Sequence, residues 1–193
     1  SSAWSNTVSE LTSRGWSSSD IYTPNWGGPN PSFNNHSGSE ETPVRNAINT
    51  ALNNSCTGQI DVIGHSMGVT LAAKQILELD IETSVDSFVG IAAGYRGLWS
   101  CGYYPWNVYV PTCGAQGLSV SSPLLDSLEN ETVAARVYTI KSYSDQVVCS
   151  TGTCFVSGKH SSQMPFENQS YTYPYGHFGL KNYTASLQVD LIE

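Results

Sequence analysis

The sequence predicts an α/β fold, a mostly parallel central sheet with helices on both faces, in a single domain over residues 1–193. Three observations carry this expectation. Apolar, partly β-branched runs at 59–64, 87–93 and 135–141 alternate with stretches of helical period. The length of 193 residues suits about one domain, and 39% hydrophobic residues are enough for a buried core. Finally, the run Ile60-Asp61-Val62-Ile63 leads directly into Gly64-His65-Ser66-Met67-Gly68 and then into a helix-period stretch, the order strand, sharp turn, helix.

Taken from the start of the chain, a first helix is expected over 7–14, with Trp4, Val8 and Leu11 on one face and Gly15 as its stop. Residues 21–23 read as a short strand. The Pro, Gly, Asn and Ser-rich stretch 24–41 reads as a loop, and Thr42-Pro43 as an N-cap followed by proline at the first helical position, opening a helix to about residue 52. After the strand 59–64, Val69, Ala72, Ala73, Ile76 and Leu77 recur at helical spacing. Strands follow at 87–93 and 135–141, and Leu180, Tyr183, Leu187 and Leu191 mark one final amphipathic helix. Between 94 and 122 lies a long aperiodic loop with Tyr95, Trp99, Tyr103, Tyr104, Trp106 and Tyr109. Loops of that length usually carry function or disorder. The expectation is an ordered cap in which Trp99, Tyr104 and Trp106 offer a flat apolar surface to a substrate, against the plainer alternative that the rings pack the loop onto the domain.

Composition excludes several classes of partner. A net charge of −8 with eight Lys and Arg in all leaves no basic cluster for nucleic acid or an anionic membrane surface. No apolar run approaches the length of a bilayer span, and the polar Ser1-Ser2 start does not resemble a signal peptide, which leaves open one already removed. The five cysteines lack metal-ligand spacing with histidine. Disulfides Cys101–Cys113 and Cys149–Cys154, each closing a short loop, are the economical pairing; they imply an oxidising, extracellular history and leave Cys56 over. Sequons begin at Asn35, Asn53, Asn130, Asn168 and Asn182, a mild addition in a chain so rich in Asn, Ser and Thr.

The turn at Ser66 carries the chemistry. A strand that bends abruptly into a helix forces the serine into strained geometry, so nearly side-chain-free neighbours two positions away are expected, and the hydroxyl is lifted beside a helix N-terminus that favours developing negative charge. A serine hydroxyl needs a base, normally a histidine held in the right tautomer by a carboxylate. Of the four histidines, His65 lies inside the turn with its ring pointing away from Ser66, His36 precedes the serine, and His160, among polar residues, is expected to be solvated. His177, in Tyr175-Gly176-His177-Phe178-Gly179 before the last helix, is the candidate base. Asp145 follows the strand 135–141 at its carboxyl end, where reactive groups gather in open α/β sheets, whereas Asp80, Asp86 and Asp126 read as caps or solvated charges.

Several motifs, taken together, resemble a known group: Val62-Ile63-Gly64-His65-Ser66-Met67-Gly68-Val69, Ala92-Ala93-Gly94-Tyr95-Arg96-Gly97-Leu98, Pro111-Thr112-Cys113-Gly114, Asp145-Gln146-Val147 and Gly176-His177-Phe178. Their order is that of the small, lidless, secreted class 2 lipases of the α/β-hydrolase fold, and more closely of extracellular polyhydroxyalkanoate depolymerases that attack native granules. The resemblance spans about residues 59–180. It implies a catalytic set of Ser66, Asp145 and His177, with Met67 giving one oxyanion amide. It also implies an N-terminal strand and a His-Gly loop, bearing the second oxyanion amide, inside the sheet between 21–23 and 59–64. This chain carries neither and begins Ser1-Ser2-Ala3-Trp4. A sheet with such a slot would leave unpaired edges, so the expectation is a separate N-terminal polypeptide of the same protein, with Cys56 as the candidate bond to it.

The reading is a secreted serine hydrolase that cleaves carboxylic esters, a lipase, esterase or aliphatic polyester depolymerase, without metal or organic cofactor. Short or medium acyl esters, lipid and polyester stay unranked as substrates. The rival from another class is a non-catalytic binding module that grips an apolar ligand or polymer with its aromatic loop.

Overall fold

The computed structural model describes residues 2–193. Four strands, β1 (Ile60–His65), β2 (Val85–Ile91), β3 (Arg136–Lys141) and β6 (Gln169–Thr172), form one sheet in that spatial order, and every pairing is parallel. Ile63 lies beside Val89, Ile91 beside Ile140, and Ile140 beside Tyr171. A small antiparallel hairpin, β4 (Phe155–Val156) and β5 (Lys159–His160), stands apart.

Parallel strands need crossovers, and the crossovers cover both faces with helices. On one face α2 (Glu41–Asn54), α3 (Met67–Glu78) and α4 (Pro123–Leu128) bury Val44, Ile48, Val69, Ile76 and Leu128 against Phe88. On the other, α1 (Ser5–Ser13), α5 (His177–Tyr183) and α6 (Ala185–Asp190) bury Leu11, Leu180 and Val189 against Val89, Ile91 and Ile140. A third cluster joins Met67 at the start of α3 to Leu98, Leu118, Leu125, Val148 and the Cys101–Cys113 disulfide, tying the long loop to the carboxyl edge of the sheet. That loop is ordered throughout by its own backbone: the Leu98 N–H donates to Leu118 O at 2.8 Å, and the Leu118 N–H to Thr112 O at 2.7 Å.

Several local expectations are corrected. Residues 21–23 form no strand; Ile21 is extended, but it packs on the second cluster without joining the ladder. Among the described residues β1 therefore borders the sheet, and the expected internal slot is an open edge instead. Helix α2 begins at Glu41 out of a 3-10 turn at Gly38–Glu40, so Pro43 is its third residue and Thr42 does not cap it. Proline is tolerated there because first-turn amides have no partner to lose. The closing helix is two helices, broken at Thr184 (φ −111°, ψ 20°), whose Oγ1 bonds back to Leu180 O at 2.6 Å. Tyr183 consequently faces solvent. Strand β6 adds to the strands expected from the sequence, its four residues, Gln-Ser-Tyr-Thr, having no apolar signature.

Candidate active site

All the candidate groups lie at the carboxyl edge of the sheet, where β1, β3 and β6 hand over to the turn at Ser66, the loop at Asp145 and helix α5. Ser66 sits at φ 56°, ψ −132°, in the left-handed half of backbone space that a side chain enters only at a cost of about 1–2 kcal/mol. Its own N–H is held by Ile91 O of β2 at 2.8 Å, and Met67 opens α3 immediately after it. The two flanking glycines are not equivalent. A Cβ on Gly64 would lie 2.9 Å from the Val69 Cα, so helix and strand can meet only over a glycine, whereas a Cβ on Gly68 would make ordinary contact with Trp26 at 3.5 Å.

Three side chains from distant parts of the chain converge. Ser66 Oγ lies 2.9 Å from His177 Nε2, and His177 Nδ1 lies 2.9 Å and 3.0 Å from the Asp145 carboxylate oxygens. Asp145 and His177 are buried, while Ser66 is partly open to solvent. The carboxylate has further partners: Asp145 Oδ1 accepts the Val147 and Val148 N–H groups at 2.8 Å and 2.9 Å. Burial pushes the Asp145 pKa up, but the hydrogen bond and charge of His177 and the two backbone donors outweigh it, so the group ends below the ordinary carboxylate value. The Met67 N–H, at the first position of α3, has no partner within the helix.

The remaining expected residues fare differently. The disulfides Cys101–Cys113 and Cys149–Cys154 are formed, and Cys56 is an exposed free thiol. Trp99, Tyr104 and Trp106 are not brought into hydrogen-bond or ring contact with Ser66, Asp145 or His177. Trp99 donates to Phe155 O at 2.7 Å and meets Tyr103 edge-on, the Tyr104 N–H donates to Val120 O, and Trp106 is 82% exposed. Tyr95 is a core residue. The rings next to His177 are instead Phe178, at 5.3 Å between centroids and largely exposed, and His65 at 4.7 Å. Beyond them Tyr175 stacks on Tyr173 and leans on Tyr183.

Two more residues touch His177 and escaped the sequence reading. His65 Nε2 donates to His177 O at 3.0 Å, and the His177 N–H donates to Gln146 Oε1 at 3.0 Å. Both lie in the motifs quoted above, each next to a candidate catalytic residue, but nothing in those motifs points to the His177 backbone. His160, expected to be solvated, is buried: its Nε2 donates to Ser142 O at 3.1 Å and its Nδ1 accepts from the Ser162 N–H at 3.1 Å. Backbone partners on both ring nitrogens replace water and fix the neutral tautomer. Cys149, Cys154 and His160 form the one group of potential metal ligands among the described residues, and both sulfurs are committed to the disulfide.

The histidines give a pH prediction. Burial holds His36 down to about 4, and burial with the neighbouring His177 charge does the same for His65, against 6.5 for an unperturbed ring; His160 is lowered in the same direction by burial. Below pH 6.5 the unfolded chain takes up protons that the folded protein declines, so stability is full above 6.5 and is lost as pH falls toward 4. The slope is about 1.4 kcal/mol per pH unit for each ring that stays neutral. Asp145 continues the loss at lower pH, as its depressed pKa is reached. Urea midpoints at pH 7, 6, 5 and 4.5 are expected to fall steadily below 6.5; a flat profile would mean that these rings charge freely in the folded state.

The family described as lipase (class 2) matches residues 1–190. No curated protein matches the sequence. A crystal structure of Aspergillus fumigatus lipase B is similar over 80% of this chain and 41% of its own, with a TM-score of 0.56 and 18% sequence identity. The chain thus spans about two fifths of that protein's length. A lipase-esterase related protein from Clostridium acetobutylicum is similar over 76% of this chain and 73% of its own, with a TM-score of 0.43 and 13% identity.

Proposed function

Since the chain belongs to the class 2 lipase family, we propose that it acts as a secreted serine hydrolase, cleaving carboxylic esters through an acyl-enzyme on Ser66. The observation that carries this reading is the unbroken relay from Ser66 Oγ through His177 to Asp145, with 2.9 Å at each junction. In the reaction Ser66 Oγ attacks the ester carbonyl while His177 Nε2 takes its proton. Asp145 stabilises the imidazolium without accepting the proton itself. The negative oxygen of the tetrahedral intermediate is held by the Met67 N–H at the head of α3. Collapse expels the alcohol, which recovers the proton from His177. Water then attacks the acyl-enzyme with His177 as base and releases the acid.

In this reading the second oxyanion donor comes from a separate N-terminal polypeptide of the same protein, bonded through Cys56; the open edge of β1 and the exposed Cys56 thiol support it. The remainder, residues 1–193, acts as one hydrolase domain. Secretion is supported by the two disulfides. Lipid, a short or medium acyl ester or an aliphatic polyester is the substrate class. The depolymerase-like motifs around Arg96 and Pro111-Thr112-Cys113-Gly114 and the exposed aromatic surface of the 94–122 loop favour a polymer of the polyhydroxyalkanoate kind.

The test is intact mass after treatment with a fluorophosphonate, read before and after disulfide reduction. One adduct, mapped by peptide sequencing to Ser66, is the expected outcome, with a small extra polypeptide present or released on reduction. No adduct on the folded protein would overturn the enzyme reading and favour the binding module.

A further inference from the structure

We propose that His65 and Gln146 are positioning residues that grip the backbone of His177 from both sides and thereby hold its ring between Ser66 and Asp145. The proposal rests on the reading of Ser66 as nucleophile and His177 as base. The grip is direct: the His177 N–H donates to Gln146 Oε1, and His177 O accepts from His65 Nε2, each at 3.0 Å.

The local sequence explains why the grip comes from elsewhere in the chain. His177 is the first residue of α5, so its N–H has no partner within the helix. The N-cap residue, Gly176, has no side chain with which to satisfy it. Gln146 does so instead, and it needs the space: a Cβ on Gly176 would lie 2.7 Å from Gln146 Oε1. A side chain before His177 would therefore have to push the end of the glutamine aside. A helix of seven residues with no side-chain cap of its own is otherwise poorly anchored at this end.

The arrangement is doubled in a way that matters for catalysis. Gln146 is the chain neighbour of Asp145, and His65 is the chain neighbour of Ser66. The loop that presents the acid to the His177 ring also holds its backbone N–H, and the turn that presents the nucleophile also holds its carbonyl. Each junction of the relay is therefore spanned twice, once by the reacting side chains and once by a bond from a neighbouring side chain to the His177 main chain. Such a frame fixes distances that tolerate little error, since a misplacement of 1 Å can cost about 100-fold in rate. His65 suits the task because it stays neutral; as a cation, with its ring 4.7 Å from that of His177, it would oppose the imidazolium the reaction forms.

The test uses His65→Leu and Gln146→Leu, which remove the donor and the acceptor, beside His65→Gln and Gln146→Glu, which keep a donor or acceptor at similar reach. Two readouts are taken: kcat and KM on a soluble ester, and the low-field proton resonance of His177 Nδ1–H, which reports its bond to Asp145 without any turnover. The leucine variants are expected to lose kcat by about 10- to 100-fold at nearly constant KM and to broaden or lose the resonance, with His65→Gln and Gln146→Glu restoring both. Should His65→Leu fail to fold, the Gln146 pair carries the test alone. Retention of the resonance and of kcat in the leucine variants would overturn the proposal. So would a loss of kcat that tracks the unfolding midpoint and that the conservative variants do not rescue. Failure of the underlying reading is seen separately, as persistent turnover in Ser66→Ala, while the resonance continues to report on the grip.

Discussion

Ser66→Ala is expected to lower kcat for ester hydrolysis by about 10⁶-fold while leaving the fold intact. The hydroxyl removed makes one side-chain bond, the 2.9 Å contact to His177 Nε2, and contributes nothing to the core. The backbone strain at φ 56° stays, because alanine carries the same Cβ, and the bond from the Ser66 N–H to Ile91 O is a main-chain bond that the substitution spares. Unfolding free energies of the two proteins from urea titration should therefore agree within about 0.5 kcal/mol, which separates lost chemistry from lost structure. Fluorophosphonate labelling should vanish with the activity. Turnover within tenfold of the parent would remove Ser66 as nucleophile. It would also leave the strained turn and the relay without a purpose, since strain of this kind persists where function over-determines it. Binding of an apolar polymer, by contrast, should survive the substitution, because the exposed aromatic surface is untouched. A protein that binds but never turns over in either form would be the binding module.

What was legible in the sequence is what local chemistry dictates. The turn at Ser66 can be read because strand, tight glycine and helix follow one another within a dozen residues, Asp145 because it follows the strand 135–141, and His177 because it alone of the four histidines sits in a glycine-flanked loop before the last helix. Both disulfides close short loops, which made their pairing readable too. What was missed depends on partners far along the chain. His65 meets a carbonyl 112 residues away and Gln146 an amide 31 residues away, and neither leaves a periodicity. The apolar stripe of the closing segment looked continuous, yet Gln188 is fully buried within it, bonded to Lys181 O, Thr184 Oγ1 and Thr7 Oγ1. This polar network across α1, α5 and α6 is satisfied only in the broken geometry and could not be inferred from hydropathy. The Trp99 N–H bonds to a carbonyl on β4, 56 residues away, another partner that loop composition does not reveal.

Asp145→Asn is expected to cost about 10⁴-fold in kcat, and the hydrogen bonds around the carboxylate show why so small a change weighs so much. Oδ1 takes both backbone donors, from Val147 and Val148, while Oδ2 makes the shorter contact with His177 Nδ1, at 2.9 Å. An asparagine in this position must keep its oxygen toward the two N–H groups, because turning the amide over would set its NH₂ against them. The NH₂ then occupies the place of Oδ2 and donates to His177 Nδ1, which drives the ring's proton onto Nε2. Nε2 now points an N–H at Ser66 Oγ instead of a lone pair, and the base is gone although every heavy atom stays in place. Losing the negative charge also removes the partner of the imidazolium. Since the neutral amide still fills the site and keeps the Val147 and Val148 bonds, the unfolding midpoint at pH 7 should move far less than the rate. The checks are kcat/KM on a soluble ester, the rate of fluorophosphonate labelling, which should fall in parallel, and the low-field Nδ1 proton resonance, which should disappear. A loss of only twofold would mean that another carboxylate orients His177, and the buried position of Asp145 would then need a purely structural account.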